Sequence, residues 1–180
     1  HAADDALARP PDRPPGRCAV IAVRGLRFRW PRAAADTVAI DTLDIAAGEY
    51  VAVTGMSGGG WQTIMLSALD PRVTLCNPVA GYSAFQSRLL NWTELGDSEQ
   101  TPVNMATITD YTHLTALLAP RPALITCNLK DRVFHPNATL PILFDAARPA
   151  YALYGKADFI QQHINDFPGT HNYETDNREA

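Results

Sequence analysis

A glycine-rich stretch of ten residues, TGMSGGGWQT at positions 54–63, limits what this chain can fold into more than any other feature. The apolar run before it, 50–54, predicts a strand, and the helix-forming run after it, 61–70, predicts a helix. Two known motifs place a tight glycine turn between a strand and a helix. They are the nucleophile elbow G-x-S-x-G and the phosphate loop G-x-x-x-x-G-K-[ST], and they imply different chemistry.

The phosphate loop depends on side chains that this stretch lacks. In that motif a lysine binds the terminal phosphates, and the Ser or Thr after it ligates magnesium. Trp61 stands at the lysine position and Gln62 follows it. Because an indole cannot replace an ammonium group, the sequence disfavours nucleotide binding here.

The nucleophile elbow fits the stretch better. It requires a serine on a strained strand-to-helix turn with small neighbours, and Ser57 lies between Gly55 and Gly59. The backbone N–H of Gly58 is then the expected oxyanion donor.

The order of the remaining polar residues supports the elbow. In elbow-type hydrolases an acid and then a histidine follow the serine, each after a later strand. Asp131 comes after the apolar segment ALITCN, and His171 lies in PGTHNY after the last predicted strand. The sequence thus predicts Ser57 as nucleophile, His171 as general base and Asp131 as the carboxylate that orients the imidazole.

Other interpretations of these residues stay open. Asp131 could simply cap its loop, and His171 could be an ordinary turn histidine. His163 is the rival base, although FIQQHIN predicts a helix and a catalytic histidine usually lies on a loop. Asp158 is the rival acid, one predicted strand later. His113 is predicted to be a helix residue packed on the core or the cap, and His135 is assigned no role.

Strands alternating with helices predict an α/β fold with a mostly parallel sheet. Predicted strands are 19–31, TVAIDTLDIA, 50–54, RVTLCNPVAG, RPALITCN and AYALYG. Predicted helices are WQTIMLSALD, ATITDYTHLTALLAP and NATLPILFDAA, with a loop or cap over 82–105 and a helix with loops after AYALYG. We expect a disordered tail over 1–17 and one domain over 18–180, in which a short antiparallel meander precedes the parallel strands.

Composition narrows the function classes. A net charge of −4 gives no indication of nucleic-acid binding, and the early arginines are interspersed with acids, as on a solvated surface. No apolar run approaches a membrane span, and the first 17 residues lack a signal-peptide core, so the cytoplasm is the default expectation. The three cysteines, Cys18, Cys76 and Cys127, imply neither a disulfide framework nor a metal site.

From about residue 55 onward the chain resembles bacterial α/β-hydrolases related to acetyl xylan esterases and the prolyl oligopeptidase group. The matching phrases are GMSGGGWQTIMLSALDPRV, NPVAGYSAF, LGDSEQTP, DYTHLTALLAPRPALIT, HIN and PGTHNYETDNR. This resemblance implies a serine carboxylic-ester hydrolase that needs no cofactor or metal and acts on a small-molecule ester, with Ser57, Asp131 and His171 as its site. The segment DRVF departs from the family, which often has a paired cysteine just after the acid.

Residues 20 to about 55 resemble a different family, the ATP-binding subunits of ABC transporters. IAVRGLRFRWP and LDIAAGEYVAVTG carry the likeness, but no LSGGQ-type signature follows. The chain thus looks like two families joined in the glycine turn, without the first hydrolase strands and the loop that gives the second oxyanion N–H. A degenerate nucleotide-binding fragment and a weakly active recombined or designed scaffold therefore remain as alternatives.

Overall fold

A computed structural model describes residues 19–29, 31–92 and 100–173. The predicted tail and Cys18 lie outside these ranges. The chain divides into two compact units, one ending at Glu49 and the other beginning at Tyr50, and each is described by itself. In the described ranges no helix combines the length and the apolar character needed to cross a bilayer.

The first unit is an antiparallel pair of strands. Strand β1 (Ala19–Phe28) pairs with β2 (Val38–Ala46), with Phe28 opposite Val38. Arginines of this unit form ion pairs with aspartates. The pairs are Arg24 with Asp44, Arg27 with Asp41 and Arg29 with Asp36. This pair of strands is the short antiparallel element that the alternating sequence predicts.

The second unit contains a four-stranded sheet in the order β3-β4-β5-β6, and all its pairs are parallel. The strands are β3 (Ala52–Met56), β4 (Leu75–Val79), β5 (Ala123–Asn128) and β6 (Ile160–Asn165). The predicted fold class, a mostly parallel α/β sheet with a short antiparallel N-terminal part, is confirmed.

Short helices connect these strands. They are α1 (Gly58–Leu69), α2 (Phe85–Leu90), α3 (Tyr111–Ala116), α4 (Pro136–Leu140) and α5 (Arg148–Leu153). A π-helical turn (Pro141–Asp145) continues α4, and single 3₁₀ turns lie at Met105–Thr107 and Ala157–Phe159.

The apolar core joins the helices to one face of the sheet. Cys76 and Ile125 on the strands pack in one cluster with Ile64, Leu118 and Tyr151 from the segments between them. The opposite face is more polar, and there Thr126 donates a hydrogen bond of 2.8 Å to the Asn77 side chain. Cys76 and Cys127 are buried, and neither forms a disulfide.

The end of the chain differs from the sequence prediction. AYALYG is predicted as a strand, but it lies in α5 and the turn after it, with Pro149 in the first turn and Gly155 at φ +65° beyond the end. The following segment is predicted to be helical, but FIQQHIN contains β6. That strand buries Ile160 and Asn165 at its two ends and pairs with β5 throughout. The predicted loop over 82–105 also contains α2.

Candidate active site

Ser57 occupies the turn between β3 and α1. Its φ of 56° and ψ of −123° are unusual for a residue with a side chain. Two backbone bonds hold this conformation, because the Ser57 N–H donates to the Val79 carbonyl over 3.0 Å and its carbonyl accepts from Trp61 N–H over 3.0 Å. Such a strained turn projects the hydroxyl away from both elements.

Close backbone packing explains why glycines surround this turn. A Cβ atom on Gly81 would lie 2.2 Å from the Ser57 carbonyl oxygen, and one on Gly60 would lie 2.7 Å from the Val79 carbonyl oxygen. At Gly55 it would lie 2.7 Å from the carbonyl oxygen of Gly59, whereas a Cβ on Gly59 itself would meet open space. The motif alone indicates Gly55 and Gly59, and the requirement at Gly60 and Gly81 becomes visible only in the structure.

The structure brings Ser57, His171 and Asp131 together. His171 Nε2 lies 2.9 Å from Ser57 Oγ, and His171 Nδ1 lies 2.8 Å from Asp131 Oδ2. A hydroxyl bonded to an imidazole that is itself bonded to a carboxylate is the arrangement that activates an alcohol as a nucleophile.

The Asp131 carboxylate is buried and well bonded. The residue is only 1% exposed, and its Oδ1 accepts the backbone N–H groups of Val133 (2.7 Å) and Phe134 (3.1 Å). These two bonds fix the carboxylate so that Oδ2 points at the imidazole. The His171 side chain is 30% exposed, so part of its ring remains open to solvent.

All three side chains follow strands of the parallel sheet. Ser57 follows β3 directly, Asp131 comes three residues after β5, and His171 comes six residues after β6. In a parallel sheet the carboxyl ends of the strands meet at one edge, which is where α/β proteins bind ligands. The histidine does follow the last strand, although that strand is β6 and not AYALYG.

Gly58 begins α1 next to the serine. The first N–H groups of a helix have no partner within the helix, and they carry partial positive charge. The Gly58 N–H can therefore donate to a negative oxygen beside Ser57.

The rival residues have other positions. Asp158 lies in the 3₁₀ turn before β6, at the amino ends of the strands, whereas Ser57 lies at their carboxyl ends. His163 lies within β6. His113 Nδ1 accepts the Asp110 N–H over 3.0 Å. His135, to which the sequence assigns no role, caps α4.

Trp61 has a structural contact at the phosphate-loop lysine position. Its indole N–H donates to the Tyr111 hydroxyl over 2.7 Å, and that hydroxyl donates to the Gln100 carbonyl over 2.8 Å. The guanidinium of Arg88 lies 4.8 Å from the centre of the Tyr111 ring. Sequence reasoning missed this buried network, since nothing local in the sequence links these residues.

Comparison by sequence gives one short likeness. No protein family profile matches the chain. Two uncharacterized ABC transporter ATP-binding proteins of Mycobacterium tuberculosis are each 46% identical over 41 residues. The match covers 23% of this chain and 6% of each of those proteins.

Comparison by structure gives esterases. A family 15 carbohydrate esterase, a glucuronoyl esterase from Caldicellulosiruptor kristjansonii, is similar with a TM-score of 0.54 and 26% identity over 71% of this chain. The methylesterase BT1017 (TM-score 0.53, 23% identity) and a glucuronoyl esterase from Teredinibacter turnerae (0.52, 19%) share the fold over the same fraction. This chain spans 40%, 27% and 38% of these three proteins, respectively.

Proposed function

We propose that this chain is a serine esterase in which Ser57, His171 and Asp131 form the catalytic triad. The observation that carries the proposal is the unbroken hydrogen-bond path from the Ser57 hydroxyl through the His171 imidazole to a buried carboxylate. The likeness to solved esterases supports the same reaction class.

In the proposed mechanism Ser57 Oγ attacks the ester carbonyl while His171 Nε2 takes its proton. The Asp131 carboxylate accepts the Nδ1–H of His171, which keeps the lone pair on Nε2 and stabilises the imidazolium that forms. The tetrahedral intermediate collapses when His171 returns the proton to the leaving alcohol. Water then attacks the acyl-enzyme by the same route and releases the acid.

The Gly58 N–H stabilises the oxyanion in this mechanism. Donors aimed at the developing charge are often the largest single contribution to such catalysis, and losing one typically costs on the order of 2.7–4 kcal/mol. Gly58 has the position for this role because it opens α1 directly after the nucleophile.

We assign small carboxylic esters as the substrate class. The first candidate is an acetyl or similar short acyl ester of a carbohydrate or another alcohol. The second is a small ester of a uronic acid, suggested by the glucuronoyl esterase among the similar structures. The two differ in which side of the ester carries the sugar, so p-nitrophenyl acetate and benzyl glucuronate distinguish them. The mechanism requires no metal or cofactor.

The decisive experiment compares the purified chain with its Ser57→Ala variant on both esters. We expect hydrolysis of at least one ester by the unmodified chain and background rates from the variant. A fluorophosphonate probe should label Ser57 stoichiometrically. Equal rates from the two proteins would end the proposal, and absence of labelling would favour an inactive scaffold.

Nucleotide binding is the second candidate, and only the short likeness to ABC transporter proteins favours it. Trp61 and Gln62 stand where that function needs Lys and Ser or Thr. Titration of a fluorescent ATP analogue with magnesium tests it. Saturable binding at millimolar concentrations or below would support this function, and its absence would remove it.

A further inference from the structure

Two buried asparagines link the loops that carry the imidazole and the carboxylate. Asn128 is the last residue of β5 and Asn165 the last residue of β6, and the two are partners in the register of the sheet. Neither is more than 1% exposed, and Asn165 Nδ2 donates to Asn128 Oδ1 over 3.2 Å. No part of the proposed chemistry uses either side chain.

Asn128 is bonded to both loops of the site, to one through its side chain and to the other through its main chain. Asn128 Nδ2 donates to the carbonyl of Asn172, the residue next to His171, over 3.4 Å. The main-chain carbonyl of Asn128 accepts the N–H of Asp131 over 3.1 Å. Asn128 therefore touches the backbone of both loops.

Main-chain bonds also join the same loops ahead of Asp131 and His171. Leu129 N–H donates to the Asn165 carbonyl over 2.8 Å, and Lys130 N–H donates to the Gly169 carbonyl over 2.7 Å. Asn165 Oδ1 also accepts the Phe167 N–H over 3.1 Å, which shapes the start of the histidine loop. These bonds hold the segments that precede Asp131 and His171, whereas the Asn128 amide bonds the residue that follows His171.

We propose that Asn128 is a positioning residue for His171. Its amide, held by Asn165, fixes the position of the loop that carries His171, so that His171 Nδ1 meets the Asp131 carboxylate. The inference rests on the proposed esterase function for its catalytic consequence, but not for the geometry itself. A displacement of about 1 Å at the reacting atoms can cost on the order of 100-fold in rate. Such an effect should appear in kcat while substrate binding is preserved.

The test uses Asn128→Leu, which keeps the branched shape of the side chain and removes its hydrogen bonds. The matched control is Thr126→Val on the same strand and face. Thr126 is also buried, and its bond to Asn77 leads away from the two loops. Both variants lose a buried polar contact, so a loss of stability common to both reports only on packing.

Two readouts separate positioning from folding. The first is kcat and KM on the best ester, for which we expect Asn128→Leu to lower kcat about 10- to 100-fold with KM little changed, and Thr126→Val to leave both near the starting values. The second is the downfield proton NMR signal of His171 Nδ1–H, which depends on the bond to Asp131 and needs no turnover. We expect Asn128→Leu to weaken or remove this signal and Thr126→Val to retain it.

Asn128→Ser keeps the test open if the leucine variant does not fold. Serine avoids the added apolar bulk of leucine, but its hydroxyl is too short to bridge the Asn165 amide and the Asn172 carbonyl, so we expect kcat and the signal to fall as they do in Asn128→Leu. Unchanged kcat and signal in Asn128→Leu would overturn the inference, and so would equal losses in Thr126→Val. If the unmodified chain hydrolyses no ester, but its downfield signal disappears only in Asn128→Leu, the esterase proposal fails and the positioning role stands.

Discussion

Gly81 lies so close to Ser57 that a Cβ atom on Gly81 would stand 2.2 Å from the Ser57 carbonyl oxygen. The same atom would lie 2.6 Å from the Cα of Gly60, so rigid backbone surrounds it on two sides. Neither neighbour is the end of a flexible side chain. The shape of the nucleophile turn therefore depends on a residue 24 positions later in the sequence.

The first prediction concerns Gly81→Ala. The added methyl group must push the turn away, so we expect a loss of roughly 1–3 kcal/mol in the free energy of unfolding. If Ser57 moves by about 1 Å, kcat falls on the order of 100-fold. Urea unfolding and ester hydrolysis measure the two effects.

Gly59→Ala is the control for this substitution. Its Cβ meets nothing within 4 Å, and the residue lies in α1. We expect it to gain roughly 0.5–1 kcal/mol from helix propensity and to keep its activity. Equal stability in the two variants would contradict the packing argument.

The second prediction concerns Asp131→Asn. The asparagine carbonyl can keep the bonds from the Val133 and Phe134 N–H groups, so the amide NH₂ faces His171 Nδ1. The imidazole then carries its proton on Nε2, where it can no longer accept from Ser57. We expect kcat to fall by about 10⁴ with the fold unchanged.

Asp158→Asn is the matched control. Asp158 is the rival acid in the sequence, and it lies at the amino ends of the strands, away from Ser57. Circular dichroism and ester hydrolysis are measured on both variants. An Asp131→Asn enzyme that retains most of its activity would show that this carboxylate is not the partner of His171.

The third prediction concerns alkaline stability. Burial raises the pKa of the Cys76 thiol to about 11, against 9.0 for an unperturbed thiol. Between these two values the unfolded chain has lost the proton that the folded chain still holds. The stabilising contribution is therefore complete below pH 9 and is lost as pH rises toward 11, by about 3 kcal/mol in total.

Cys76→Ala isolates this contribution. Burial also raises the pKa values of Tyr82 and Tyr151, but those groups titrate in both proteins. We expect the variant to be less stable below pH 9 and the difference to shrink as pH approaches 11. Urea unfolding across this range measures it, and parallel pH curves would refute the assignment to Cys76.

The fourth prediction concerns the double variant Trp61→Lys with Gln62→Thr, which restores the side chains of a phosphate loop. We expect no magnesium-dependent ATP binding, because the Ser57 N–H in this turn already donates to the Val79 carbonyl. We also expect a loss of about 2–3 kcal/mol from the indole contact with Tyr111. Gln62→Thr alone, at an exposed position, is the control for stability. Saturable ATP binding by the double variant would contradict this view of the turn.

The strands of the second unit that carry strong local patterns are the ones that the sequence predicts correctly. The runs 50–54 and ALITCN are apolar and bounded by turn residues, and both form strands beside the site. Ser57 and Asp131 are accessible to prediction because they follow these strands, whereas His171 follows β6, which the sequence predicts as part of a helix. Proximity of Asp131 and His171 to Ser57, by contrast, comes from the parallel order of the sheet.

The last elements were harder to predict for physical reasons. AYALYG is a short apolar run of the kind that forms a buried strand, yet only Tyr151 is fully buried and Leu153 is 88% exposed. Pro149 and Gly155 are the signals that could have indicated a helix. For β6, Gln161 and Gln162 interrupt the apolar pattern, because this strand closes one side of the described sheet and buries few side chains.

The backbone of Ser57 has a further consequence. A φ of 56° with a ψ of −123° is the mirror image of ordinary extended backbone, which glycine adopts freely and serine does not. Strain of this kind costs on the order of 1–3 kcal/mol. Selecting this chain for thermal robustness alone would therefore favour glycine at position 57, and it would discard the nucleophile before any other part of the site.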